Sequence, residues 1–268
     1  MVRPTAPVMT PDGPSLQYRS AVEELESALV RSTNISRDCA GIESPTSAHY
    51  FASVLFTSLC VRGMSLALLV PHSPFAQKSI EQWDFASVAG VARSILEVRL
   101  AFFYLCVESL SKEQWEFRWN LFNLHDCMTR VHLFEELRSS DVDAFRDQAE
   151  DLRQRLKKNS HFVGLPPKQQ AHLLTGSKAY SVPTEEIAVA AGMDLNLFRV
   201  LYRFYSAQLH GFPLSFYRAG DQNRGRGVHS PVEEGYTTMC VTLATALLGS
   251  ASDEMEALFR PHLRNSEP

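Results

Sequence analysis

Val88-Ala-Gly-Val-Ala-Arg93-Ser-Ile-Leu-Glu97-Val-Arg-Leu-Ala-Phe-Phe-Tyr104-Leu-Cys-Val-Glu108 is the stretch on which the fold class turns. Its apolar residues occupy most of a helical circumference and show no alternation of period two, so it reads as a buried helix. Arg93, Glu97, Tyr104 and Glu108 nevertheless share one face of that helix. The segment from Leu195 to His210 repeats the conflict: Arg199, Arg203, Ser206 and His210 follow one another at steps of four, three and four among Leu, Val, Phe and Tyr. Polar groups on a buried helix must pair or line a cavity, because leaving them unpaired in an apolar interior costs on the order of several kcal/mol each. The two stripes therefore mark a candidate site. They are expected to face each other, with Arg93 or Glu97 in side-chain contact with Ser206 or His210.

Outward from these two segments, the same periodicity predicts helices over 16–32, 47–70, 77–110, 112–139, 142–159, 167–174, 185–191, 195–211 and 232–263. The fold class is all-α, a single helical bundle of six or more long helices over residues 16–264, with 47–70, 77–110, 112–139 and 195–211 at its centre. Residues 1–15 carry four prolines before Ser15 and no apolar signal core, and are expected to be a disordered lead-in. Ser230-Pro231-Val232-Glu233 and Ser111-Lys-Glu-Gln114 have the form of capping boxes, and Gly192 and Gly211 stand where a left-handed residue ends a helix. Val142, Phe145, Ala149, Leu152 and Leu156 make a narrow apolar stripe on a charged helix that packs one face only. The glycine-rich loop from Arg218 to Pro231 carries three arginines and is either a plain connection or a flap over a phosphate-bearing ligand.

The 45% apolar and 21% charged residues are ordinary globular values, and a net charge of −4 supplies no global field for nucleic acid or an anionic membrane. The five cysteines are odd in number and lie mostly in apolar helical runs, so they read as reduced core residues of a cytoplasmic protein. Tyr50 to Val70 has the length of a membrane span, but Arg62 at its centre would cost roughly 3 kcal/mol there. A core helix with Arg62 paired to a carboxylate or to backbone carbonyls is the expectation, and no membrane partner is predicted. No Glu-x-x-His pair occurs on an inward face, so neither a metal nor another cofactor is expected.

Arg203-Phe-Tyr-Ser-Ala-Gln-Leu-His210 resembles the arginine-to-histidine motif of HEPN ribonucleases, small helical bundles that dimerise and cut RNA at a composite site. The resemblance implies His210 as general acid or base and Arg203 as the stabiliser of phosphate charge. Arg199 and Ser206 would then contact substrate, and Arg93 with Glu97 would support them. It also implies RNA or a nucleotide as the partner, a homo-oligomer, and a toxin or phage-defence setting. Arg93-Ser-Ile-Leu-Glu97 with Tyr205-Ser206 and His210 is similar to an uncharacterised bacterial all-helical family of unknown function, a likeness that spans about 47–216 and implies a fold and a polar pocket. Two other functions are kept open. One is a non-enzymatic helical module that dimerises or binds a small ligand. The other is a transcriptional regulator, because Ile187-Ala-Val-Ala-Ala-Gly192 looks like the helix-turn-helix of tetracycline-repressor-type proteins.

Overall fold

A computed structural model describes residues 13–217 and 220–263, apart from the side chains of Leu214, Gln222 and Leu263. Among these residues there is no strand, only the isolated bridge between Trp83 and Gly227, so the fold is all-α. Most of the expected lead-in, at 1–12, and Arg218 of the glycine-rich loop lie outside the described residues. The helices are α1 (Leu16–Asp38), α2 (Ser47–Leu69), α3 (Phe85–Phe102), α4 (Lys112–Glu136), α5 (Val142–Lys158), α6 (Ser160–Val163), α7 (Pro167–Leu173), α8 (Thr184–Ala190), α9 (Leu195–Leu209), α10 (Pro213–Phe216) and α11 (Pro231–Leu263). Where the sequence suggests one bundle, the contacts of the chain fall into two compact units.

Of the described residues, the first unit holds 13–45, 53–99, 200–217 and 220–263. Its axis is α11, whose 33 residues extend about 50 Å at the α-helical rise. Alongside it α1 runs parallel, tied at one end by the Ser15 amide donating to Glu234 and further along by the Ser32 and Ser252 hydroxyls at 2.9 Å. On another side α3 is also parallel: the Phe85 amide donates to Glu233 near the start of α11, and Arg99 reaches Glu254 at 2.6 Å near its end. Gly63 of α2 sits where a side chain would collide, an added Cβ falling 2.7 Å from Leu29 and 2.9 Å from Leu248. Small size is what admits α2 between α1 and α11. Arg62 is half-buried, donating to the Ser94 hydroxyl at 2.7 Å and to the carbonyl and hydroxyl of Ser58. Backbone carbonyl and hydroxyl oxygens thus take the place of the carboxylate. By length and composition α2 remains long and apolar enough to cross a membrane.

The second unit holds 46–52 and 100–199. Helix α5 lays its narrow stripe on α4: Ala149 and Leu156 are buried with Phe117, Leu121, Leu124 and Cys127, and Phe134 stacks on Phe145. After Phe102 the chain widens into one π-helical turn, Phe103–Val107, closed by the Glu108 amide on the Phe103 carbonyl. That turn frees the Tyr104 carbonyl, which accepts from Arg118 at 2.7 Å, and Arg118 also pairs with Glu108. The helix expected to continue to residue 110 ends here for that reason.

Candidate functional site

The residues singled out by the two stripes separate in space. Arg93 lies over the Tyr202 ring at 4.3 Å, donates to the Tyr202 carbonyl at 3.5 Å and meets Glu97 at 3.3 Å. The helices α3 and α9 do meet, but the expected contact with Ser206 or His210 is replaced by one a turn earlier. Tyr202 offers both a π face and a carbonyl to the guanidinium, and Glu97 neutralises the rest of the charge from the next turn of the same helix. Arg203 is exposed, since it stands two residues, roughly 200° of helix, from buried Leu201 and Tyr205. His210 is exposed just beyond the end of α9, its ring 5.4 Å from that of Phe212. Arg199, in the second unit, is held by Glu185 through two hydrogen bonds of 2.9 Å.

The first unit contains a cavity of about 580 Å³, within the range of small-molecule sites, and it is built by neighbours of the expected residues. One wall is aromatic. Phe85 at the start of α3, Phe204 on α9 and Tyr236 on α11 lie against one another with ring centroids 4.9 to 6.3 Å apart. Gln208, one turn beyond Phe204 on the same face, adds a carboxamide. The left-handed Gly211 (φ 59°) ends α9 and turns the chain into α10, whose Pro213 and Ser215 line the rim. Arg224 and Gly225 of the glycine-rich loop close another side.

Glu233 holds this loop in place. The Glu233 amide donates to the Ser230 hydroxyl, as the capping sequence predicts, but its carboxylate does not turn back to complete the box. Instead one oxygen accepts from the Gly225 amide at 2.7 Å and the other from the Phe85 amide at 3.2 Å, so a single buried side chain ties the loop and the start of α3 to α11. The box at Ser111, by contrast, is closed in both directions. Burial pushes the Glu233 carboxyl up and nearby Asp84 adds to the effect, against the two amide hydrogen bonds and the charge of Arg224. Asp84 is committed to capping α3, accepting from the amide and hydroxyl of Ser87.

Two polar groups in the cavity wall are unmatched. The Gln208 side-chain oxygen and the Arg224 Nε are buried and have no hydrogen-bond partner among the described residues. Among the described residues no three His, Cys, Asp or Glu side chains are grouped to hold a metal ion.

On α9 and just past its end, Arg203 and His210 are exposed, whereas Phe204 and Gln208 line the cavity. Arg203 and His210 stand out by residue type, whereas Phe204 and Gln208, which line the cavity, look like ordinary core. Glu233 was visible only as a cap. The loop carrying Arg224 gave the one usable signal, arginine among glycines. Residues 55–226 match the model of a family of unknown function (DUF5677), and the chain belongs to that family. The matched span includes Phe85, Phe204, Gln208 and Arg224, while Glu233 and Tyr236 follow it. Neither the comparison with curated proteins nor that with solved structures returned a match.

Proposed function

We propose that this family member is a helical binding module that holds a small organic molecule in the cavity between α3, α9 and α11. The observation that carries the reading is the cavity itself, about 580 Å³ with an aromatic wall of Phe85, Phe204 and Tyr236 and with Gln208 and Arg224 among its lining residues. A thermal-shift screen of small molecules tests it, with Ala86→Phe, which fills the cavity from its rim, as control. Molecules should raise the melting temperature of the wild type and leave that of Ala86→Phe unchanged. Equal shifts in both proteins would place binding elsewhere.

A second reading keeps the ribonuclease resemblance. It is favoured by the exposure of both Arg203 and His210, which leaves them accessible to a polymer. The helix rise separates them by roughly 10 Å, so both reach one phosphate only by leaning together or by pairing across two copies of the chain. On this reading purified protein cuts single-stranded RNA without added metal and His210→Ala abolishes cutting with the fold intact. RNA left whole across a broad substrate set removes the reading.

A further inference from the structure

We infer that the molecule the cavity takes is a singly charged carboxylate on an aromatic body, held by Arg224. The inference rests on the cavity being the binding site and goes on to name the chemistry of its occupant.

Charge decides the first part. Among the described residues lining the cavity Arg224 is the one cation, and its guanidinium forms no contact ion pair with a described carboxylate. The two acids that share the wall are committed elsewhere. Both oxygens of Glu233 accept backbone amides, from Gly225 and Phe85, and Asp84 accepts from the amide and hydroxyl of Ser87. Burial, with Asp84 adding to it, raises the Glu233 carboxyl, so its position favours the uncharged form more than water does. An anionic ligand therefore finds a counter-charge that the protein has not used. A cationic ligand would meet Arg224 as a like charge, with no uncommitted acid to hold it.

The shape of the donor decides the second part. Nε of Arg224 is buried and closed, so the guanidinium has only its two terminal nitrogens to offer a ligand, and neither donates to a described residue. The Tyr236 ring, its centroid 5.6 Å from the guanidinium carbon, takes the face of the group and leaves this edge. Two parallel N–H groups on one edge match the two coplanar oxygens of a carboxylate. A phosphate monoester fits less well, because it would bring a charge of about two into a wall with one arginine and two acids. The aromatic body follows from the rest of the wall: Phe85 and Phe204 lie within 18° of parallel, and Tyr236 packs against both, presenting ring faces and edges to a planar partner.

Matched small probes test the inference on the full chain. Benzoate, benzamide, benzamidine and phenyl phosphate share a ring and differ in charge, and benzene has no polar group. Their affinities are read by ligand-observed NMR titration. Benzoate should bind at least about tenfold more tightly than each of the other four, the margin of a charge-assisted pair of hydrogen bonds. Arg224→Met should lower the ratio of benzoate to benzene affinity about tenfold, and Arg224→Lys, which keeps the charge without the paired donors, should fall between it and the wild type. Tighter binding of benzamide, benzamidine or phenyl phosphate than of benzoate would overturn the inference. So would a benzoate to benzene ratio that Arg224→Met leaves unchanged, or benzoate binding that survives Ala86→Phe. If benzene binds, Ala86→Phe abolishes it and benzoate does not bind, the cavity remains the site and the carboxylate class is wrong. If no probe binds, both the class and the cavity reading fall.

Discussion

Glu233 and Glu234 are adjacent on α11 and are placed in opposite electrostatic situations. Burial raises the Glu233 carboxyl. Glu234 is also raised by burial, but hydrogen bonds from Ser15 and His229 outweigh this and bring it below the ordinary range. A carboxyl lowered by folding contributes stability above its unfolded value, about 4.3, and loses the contribution as pH falls through the folded value. Glu234→Gln should therefore cost about 1 kcal/mol at neutral pH, with the gap to wild type closing in acid. Chemical denaturation at a series of pH values checks this, and a gap that persists in acid would show that packing, not charge, is what Glu234 supplies. Glu233 has the reverse sign. Its contribution is present below the unfolded value and falls away as pH rises toward its raised folded value. A similar contrast holds for the ion pair of Arg99, fully buried, and Glu254. Glu254→Ala should destabilise by about 3–5 kcal/mol, because the guanidinium would stay buried without its counter-charge, and replacing both residues by apolar ones should recover much of the loss. Equal destabilisation in the single and double variants would contradict that account.

Helix α2 and helix α11 show how differently a glycine behaves within an element. At Gly63 a Cβ would stand 2.7 Å from Leu29, whereas at Gly235 nothing lies within 4 Å. Gly63→Ala should destabilise by about 1–3 kcal/mol through forced repacking, while Gly235→Ala should stabilise by about 0.5–1 kcal/mol by restricting the unfolded chain. Melting curves of the two variants moving in the same direction would refute the close-crossing account of α2. Sequence periodicity made nearly every long helix legible, with α4, α5 and α11 beginning at or within one residue of their expected starts. The departures occur where local chemistry competes with periodicity. Residues 77–84 carry Trp83 and Asp84, but Trp83 bonds across to Gly227 and Asp84 caps, so the helix begins only at Phe85. The π turn after Phe102 depends on Arg118, ten and more residues away, and no local pattern announces it. The site was less legible for the same reason. A buried Phe or Gln has the same sequence signature whether it fills a core or lines a cavity, and the partner that decides between them, here Glu233 or Arg224, is distant in sequence.

At the scale of the whole molecule the two functional readings draw on one helix. Phe204 and Gln208 of α9 look into the cavity, and exposed Arg203 together with His210, just past the helix end, belongs to the polar stripe that sequence favours. A small-molecule module needs the first pair and an RNA-cutting site the second, so the two accounts predict different responses to the same titration. The most direct measurement is protein-observed NMR, following side-chain and backbone resonances while a small molecule that raises the melting temperature of the wild type, but not of Ala86→Phe, is added to the full chain. The account predicts saturable shifts at Phe204, Gln208, Arg224 and Tyr236, with Arg203 and His210 unmoved. Shifts centred on Arg203 and His210, or none at the cavity at any concentration reached, would contradict it.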